Sequence, residues 1–293
     1  MSASRPVAIV TGATGTFGEY ISLGMLRAGY NTICVGRNAE KGAAFIARLK
    51  AELAKDAANT HTTTGEPTFA AIDCSSLSSI EAFARTWAEK QSAAPAIHVL
   101  VNNAAIVPDR REVSADGVEL QWAANVLGYD WMIRSLLPFL KLSAVAGGGG
   151  GEGRVVNVAS HYAGDLDLSD VEFTKRTYNA NTAYRQSKQA NRMLAKLWGD
   201  KLAKDNIVVT SCHPGVADSS VLSGLGFTGG GDKSGKRGSE TPLYCALTQK
   251  LTPGGFYAEK KLKSCPFASD SAQVSKLGGL LEQYAVSAAA SKR

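Results

Sequence analysis

The chain has 293 residues, of which 44% are hydrophobic, and it carries a formal net charge of +6 at pH 7. This composition supports a folded core and excludes intrinsic disorder, and no apolar run approaches the roughly 20 residues of a membrane-spanning helix. The basic residues form no stripe interleaved with aromatic residues, so nucleic-acid binding is not expected. The five cysteines are scattered, which predicts reduced thiols and a cytoplasmic location.

The N-terminal segment has the pattern of a strand, a glycine turn and a helix. An apolar run at residues 7–10 precedes a glycine-rich turn at 11–18, a helical pattern up to Arg27 and a second apolar run at 31–35. Glycines permit a tight turn and bring backbone N–H groups to the start of the helix, where they can bind a pyrophosphate. The candidate cofactor-binding residues of this turn are Gly12, Thr14, Gly15, Thr16, Phe17 and Gly18.

The end of the second strand indicates which dinucleotide is bound. NAD-binding proteins place an Asp or Glu about 20 residues after the glycine turn, where it bonds the ribose 2′-hydroxyl. Here the strand is followed by Gly36 and Arg37, without a carboxylate. Because Arg37 could pair with a 2′-phosphate, and Lys41 lies one helical turn further on, NADP(H) is the predicted cofactor.

The rest of the chain alternates between helical and strand patterns. The patterns predict helices over 40–55, from 76, over 117–142, around 184–197, from 241 and over 272–284, and strands at 69–72, 97–101, 154–159 and 207–212, with an edge strand from 255. This alternation predicts a doubly wound parallel sheet with helices on both faces. We therefore expect a single α/β domain over residues 1–293.

Two glycine-rich segments interrupt this alternation. The five consecutive glycines at 147–151 are not followed by the Lys and Ser or Thr of a phosphate loop, so they predict a flexible insertion. Residues 220–240 are rich in Gly, Ser and Lys, which predicts a mobile loop beside the substrate.

A serine, a tyrosine and a lysine form the candidate catalytic group. Tyr184 and Lys188 are four residues apart in a helical pattern, and Ser160 ends the strand at 154–159. An ammonium beside a phenol lowers the phenol's pKa from its usual value of about 10, and Ser160 can bond the same oxygen. Such a group can exchange a proton near neutral pH. Tyr257 and Lys261 have the same spacing, which we interpret as chance.

These motifs together resemble the short-chain dehydrogenase/reductase superfamily, and the resemblance covers roughly residues 6–285. The motifs are the turn at 11–18, Asp73, the segment 102–105, Asn125, Ser160, the pair Tyr184 and Lys188, and the pair Pro214 and Gly215. The stretches 156–160, 183–191 and 212–215 are most similar to the retinol-dehydrogenase-like branch. The resemblance implies a Rossmann-type fold.

The resemblance also implies a role for each matching residue. Tyr184 would be the acid/base, Lys188 would lower its pKa and bond the nicotinamide ribose, Ser160 would orient the carbonyl, and Asn125 would hold a water linking Lys188 to solvent. The further cofactor contacts implied are Asp73 and Cys74 near the adenine, Asn102 and Ala104 near the adenosine ribose, and Pro214, Gly215, Val216 and Ser219 on the nicotinamide and phosphate side. His161 and His213 are interpreted as packing residues.

The glycine turn departs from the superfamily's usual pattern. Thr16 stands where the middle glycine falls, and the spacing of Gly12, Gly15 and Gly18 resembles that of the extended members, which include nucleotide-sugar epimerases. An epimerase or dehydratase is therefore one alternative, and a non-catalytic NADPH-binding sensor is another. The prediction is an NADP(H)-dependent carbonyl reductase or alcohol dehydrogenase without a membrane anchor. The resemblance leaves a homodimer and a homotetramer open, since both are common in the superfamily.

Overall fold

A computed structural model describes residues 5–60, 64–90, 96–145, 152–227 and 234–290. The strands are β1 (Val7–Thr11), β2 (Asn31–Gly36), β3 (Pro67–Ala71), β4 (Val99–Asn102), β5 (Gly153–Val158), β6 (Ile207–His213), β7 (Phe256–Ala258) and β8 (Lys261–Lys263). They join in one sheet with the order β3-β2-β1-β4-β5-β6-β7-β8. The first seven strands pair in parallel, and β8 pairs antiparallel with β7. The predicted doubly wound α/β sheet is confirmed.

Helices cover both faces of this sheet. They are α1 (Thr16–Arg27), α2 (Ala39–Thr60), α3 (Leu77–Lys90), α4 (Leu120–Trp122), α5 (Gly128–Val145), α6 (Ala180–Leu202), α7 (Ser220–Gly224), α8 (Gly235–Leu247), α9 (Pro266–Ser269) and α10 (Ser271–Ala290). A π-helical turn, Ala123–Leu127, joins α4 to α5. Among the described residues, no helix is long and apolar enough to cross a bilayer.

The hydrophobic core has two parts, one on each face of the sheet. Ile9 packs with the indoles of α4 and α5 in one cluster, whereas its neighbours Ala8 and Val10 pack with α1 and α2 in the other. Successive side chains of a strand point to opposite faces, so a strand buried on both faces is apolar throughout. This burial explains why the short apolar runs predicted the strands.

The strand order reverses between β1 and β4, and this reversal places the functional site. From β1 the chain proceeds outward to β3, and from β4 it proceeds outward in the other direction. In open α/β sheets a ligand crevice forms beyond the carboxyl ends of the strands at such a reversal. The residues that follow β1, β4, β5 and β6 therefore meet at one place.

Several predicted boundaries were wrong. Helix α2 continues to Thr60, and the helical segment predicted from residue 117 begins at Leu120 and contains the π turn. The segment 220–240 was predicted as a loop, yet it contains α7 and the start of α8, because the hydroxyls of Ser219 and Ser234 cap these helices. Residues 228–233 and the glycine run 147–151 lie outside the described residues.

Candidate functional site

A cavity of about 530 Å³ lies beyond the carboxyl ends of the strands, at the reversal of strand order. Sixteen of the predicted residues line it: Gly12, Thr14, Gly15, Thr16, Phe17, Arg37, Asp73, Cys74, Ala104, Ser160, Tyr184, Lys188, Pro214, Gly215, Val216 and Ser219. Gly18, Asn102 and Asn125 are not part of the lining. Residues that are far apart in the sequence are thus brought together in one cleft.

The glycine turn forms one end of this cleft. Gly12 has a φ of +63°, which an L-residue rarely adopts, and a Cβ on Gly18 would lie 2.1 Å from the carbonyl oxygen of Gly12. The side chain of Thr16 fits the turn, because its hydroxyl donates to the carbonyl oxygen of Asp218 at 3.3 Å. The cap residue of α1, Gly15, offers no side chain, so the first N–H groups of the helix are left for an anionic group.

The residues after β2 and β3 line the cleft near this turn. Arg37 is exposed where β2 ends, and Asp73 follows β3 with its carboxylate accepting bonds from the backbone N–H and hydroxyl of Ser75. Cys74 is buried, and burial raises the pKa of its thiol to about 12. The thiol therefore stays neutral and acts as a small packing group.

The side chain of Asn102, expected near the adenosine ribose, does not line the cleft. Asn102 is fully buried, and its amide donates to Oδ1 of Asn157 at 3.0 Å on the neighbouring strand. Asn103 lines the cleft instead, with its amide donating to the carbonyl oxygens of Thr11 at 2.9 Å and Gly12 at 3.2 Å. Side chains alternate between the faces at the end of a strand, so one position decides which asparagine faces the cleft.

Ser160, Tyr184 and Lys188 converge at the centre of the cleft. Helix α6 begins after Asn179, whose side chain accepts from the N–H of Thr182, and it places Tyr184 and Lys188 one turn apart. Ser160 hydrogen-bonds the phenol of Tyr184. The ammonium of Lys188 lies 5.6 Å from the centroid of the Tyr184 ring.

The pKa values of this group differ from the expectation that Lys188 lowers the pKa of Tyr184. Burial raises the pKa of Tyr184 to about 12, and the bond from Ser160 offsets only part of that effect. Burial also lowers the pKa of Lys188 to about 7. Both shifts have one physical cause, since low dielectric surroundings disfavour the charged form of each group. The expectation from the sequence considered the neighbouring ammonium and hydroxyl and did not include burial.

Asn125 lies in the π turn, beside the cleft but outside its lining. Its side chain accepts from the N–H of Ile106 at 2.9 Å and donates to the carbonyl oxygen of the same residue at 3.0 Å. Its own carbonyl oxygen accepts from Nδ2 of Asn191 at 2.7 Å. Turns of this kind occur frequently at functional sites. The turn therefore ties the segment after β4 to α6.

Comparison with known proteins agrees with this geometry. The family model of short chain dehydrogenases matches residues 6–226. The chain belongs to the short-chain dehydrogenase family. Its members are oxidoreductases that use a nicotinamide cofactor.

The relatives of the chain within this family include polyprenol and retinol dehydrogenases. Mouse polyprenol dehydrogenase is 31% identical over 277 residues, covering 90% of this chain and 78% of that protein. Human retinol dehydrogenase 13 is 32% identical, covering 71% of this chain, and the chain spans only 58% of its length. These similarities place the chain in the retinol-dehydrogenase-like branch.

Solved structures share the fold. A putative uncharacterized protein from Mycobacterium paratuberculosis has a TM-score of 0.72 at 25% identity, with 96% of this chain and 93% of that chain covered. NADPH-bound carbonyl reductase from chicken fatty liver has a TM-score of 0.64 at 19% identity, with coverages of 89% and 100%.

One end of this short-chain dehydrogenase cleft is apolar, and the sequence did not reveal its main residue. Tyr162 lines the cleft two residues after Ser160, and its ring contacts the rings of Tyr184 and Phe227 at centroid distances of 6.4 and 6.3 Å. Its hydroxyl donates to Asn181 at 3.2 Å, which fixes the ring. The other apolar residues of this wall are Ile106, Val216, Val221, Leu222 and Leu225.

A buried arginine holds the backbone of Ser160, and it was also missed. Arg192 donates to the carbonyl oxygen of Ser160 and stacks 3.8 Å from the centroid of the Phe256 ring. His161 and His213, predicted as packing residues, stack on each other at 4.0 Å, and His213 lines the cleft. Because Arg192 stands beside other polar residues of α6, among them Asn191, the sequence gives no signal that singles it out.

Proposed function

We propose that the protein is an NADP(H)-dependent oxidoreductase that transfers hydride between the nicotinamide and a carbonyl or alcohol with an apolar body. The observation that carries this proposal is the convergence of Ser160, Tyr184 and Lys188 in the cleft. A protein that only bound the cofactor would not need a phenol, a hydroxyl and an ammonium at one point.

The cleft offers suitable groups for the cofactor. The uncapped start of α1 suits the pyrophosphate, and Asp73 and Asn103 line the expected path of the adenosine. The end of β2 carries Arg37 and no carboxylate, which favours a 2′-phosphate over a free 2′-hydroxyl. Carbonyl reductase from chicken fatty liver, which shares the fold, was solved with NADPH.

The residues of the chain would handle the proton and the substrate oxygen. The nicotinamide, when bound, exchanges the hydride with the carbonyl carbon. Ser160 donates a hydrogen bond to the carbonyl oxygen and polarises it. Tyr184, whose pKa of about 12 keeps the phenol protonated at neutral pH, donates its proton to that oxygen as the hydride arrives. The charge of Lys188 stabilises the phenolate that remains.

An apolar substrate is supported by the wall around Tyr162 and Phe227. The cleft-lining residues of this wall present apolar surface and aromatic rings, and among those that the structure describes none carries a charge that could pair with a charged substrate. The relatives are named for polyprenol and retinol, which are both alcohols with long apolar bodies. Ketones and aldehydes with bulky apolar groups are therefore the first substrates to test.

The cofactor preference can be measured by titrating the protein with NADPH and NADH while following nicotinamide fluorescence. We expect NADPH to bind at least tenfold more tightly, a difference of about 1.4 kcal/mol. Arg37→Ala should remove most of that difference in affinity without weakening the binding of NADH. Arg48→Ala is the matched control, since Arg48 is exposed on α2, pairs with Glu19 at 2.9 Å and lies outside the cleft. Equal binding of both cofactors to the wild type would contradict the role of Arg37.

A further inference from the structure

Asn191 connects two parts of the site, and no motif discussed above gives it a role. It is fully buried on α6, three residues after Lys188 and therefore on the same helix face. Its Oδ1 accepts from Nζ of Lys188 at 3.3 Å, and its Nδ2 donates to the carbonyl oxygen of Asn125 at 2.7 Å. Both ends of the amide are thus bonded within the site.

Lys188 depends on neutral acceptors for its charge. Its ammonium donates to the carbonyl oxygen of Val158 at 2.9 Å and to Asn191. Within the part of the chain that the structure describes, no carboxylate forms an ion pair with it. A buried ammonium without a counter-ion keeps its proton only through hydrogen bonds to polar groups, so the loss of one acceptor has a large effect on its pKa.

The other groups that face Lys188 are also neutral. The ring centroid of Tyr129 on α5 lies 5.5 Å from Nζ, and that of Tyr184 on α6 lies 5.6 Å from it. Cys212 on β6 lies close enough to interact electrostatically with the ammonium. Burial raises the pKa of all three of these groups. None of them supplies a negative charge near neutral pH, so the acceptor on Asn191 is not duplicated by a nearby anion.

We propose that Asn191 is a positioning residue that fixes the Lys188 ammonium by linking it to the carbonyl oxygen of Asn125 in the π turn. This inference rests on the proposed function, in which Lys188 must be charged and held beside Tyr184. The resemblance implied that Asn125 holds a water linking Lys188 to solvent, and the side-chain amide of Asn191 adds a direct connection between Lys188 and the backbone of Asn125. An amide keeps its donor and acceptor ends in place, so the link holds the ammonium rigidly.

The direct test is the titration of Lys188 itself, followed by NMR of protein labelled with ¹³C at Cε of lysine. The signal of Lys188 is assigned by its loss in Lys188→Met. Asn191→Leu removes the acceptor, so the titration midpoint of the Lys188 ammonium should fall by about one pH unit. Asn191→Asp places a carboxylate at the same position, so the midpoint should rise. This variant is close to the wild type in shape and serves if the leucine variant does not fold.

Gln189→Leu is the matched control. Gln189 is also an amide of α6 adjacent to Lys188, but it bonds the N–H of Leu166 at 3.1 Å and not the ammonium. Its loss should leave the Lys188 midpoint unchanged. A midpoint unaltered in both Asn191 variants, or altered equally in Gln189→Leu, overturns the proposal. This readout needs no turnover, whereas failure of the proposed function would appear as full activity in Tyr184→Phe.

The kinetic consequence can be measured in parallel. With saturating NADPH, the basic limb of the pH profile of kcat/KM should move to lower pH in Asn191→Leu, because Lys188 loses its proton at a lower pH. In Asn191→Asp the same limb should move to higher pH. A general loss of stability would lower the rate without moving the limb in opposite directions in these two variants.

Discussion

Asp170 organises the segment between Ser160 and α6, and its removal should destabilise the wall of the cleft. The carboxyl group is buried, and it accepts from the N–H and hydroxyl of Thr174 at 2.7 and 2.9 Å and from the N–H of Lys175 at 3.2 Å. The N–H and Nε of Arg176 donate to it at 3.1 and 3.2 Å. In Asp170→Asn an NH₂ group would replace one of the two acceptor oxygens.

We expect Asp170→Asn to reduce the free energy of unfolding by about 3 kcal/mol, since each buried donor left without an acceptor costs about 1–3 kcal/mol. Asp167→Asn is the control, because Asp167 is more exposed. Its carboxylate accepts from the N–H and hydroxyl of Ser169 at 2.9 and 2.6 Å and lies 3.8 Å from Nε of Arg176. Urea unfolding at pH 7 measures both changes. Equal destabilisation by the two substitutions would refute this reasoning.

The effect of Asp170 should also depend on pH. Burial opposes ionisation, but the bonds from Thr174, Lys175 and Arg176 outweigh it and hold the pKa of Asp170 at about 2. The unfolded value is about 3.9. A depressed pKa gives stability that is present above the unfolded value and lost as the pH falls through the folded value. The difference in the free energy of unfolding between wild type and Asp170→Asn should therefore shrink below about pH 4. A difference that stays constant with pH would contradict this prediction.

Three further predictions concern the cleft. Gly18→Ala should weaken NADPH binding at least tenfold, because the added Cβ would clash with the carbonyl oxygen of Gly12. Gly279→Ala should have no effect in the same titration, because a Cβ at that position would have no atom within 4 Å. Alcohol oxidation should accelerate as the pH rises from 7 to 10, because burial holds the pKa of Tyr184 at about 12 and oxidation requires the phenolate; a flat profile would contradict this. Tyr162→Ala should raise KM for a bulky apolar ketone about tenfold, because apolar and aromatic contact is lost, and it should leave KM for acetone within about twofold. Equal effects on the two substrates would exclude a contact between Tyr162 and the substrate.

The sheet and the location of the site were predictable from the sequence because both depend on buried strands. A strand covered by helices on both faces must be apolar, so β1, β5 and β6 appeared as short apolar runs. The functional residues follow those runs, since the carboxyl ends of parallel strands meet at one edge. Gly12 and Ser160 both follow such strands, and both line the cleft.

The errors arose where a single contact outweighs the sequence pattern. The choice between Asn102 and Asn103 depends on one step of alternation at the end of β4. The helices α7 and α8 begin at serine caps within a glycine-rich composition. The pKa values of Tyr184 and Lys188 depend on burial by residues distant in the sequence, which spacing alone does not report. The cytoplasmic location and the oligomeric state stay predictions.

The measurement that tests the central claim most directly is the turnover of Tyr184→Phe with NADPH and an apolar ketone, compared with its NADPH affinity. Tyr178→Phe is the control, because it removes a phenol that donates to the Pro108 carbonyl at 3.1 Å and lies outside the cleft. Loss of a general acid lowers rates about 10²–10⁴-fold. We predict a loss of that size in Tyr184→Phe with nearly unchanged NADPH affinity, and full activity in the control. Turnover within about tenfold of wild type in Tyr184→Phe would contradict the assignment of Tyr184 as the proton donor.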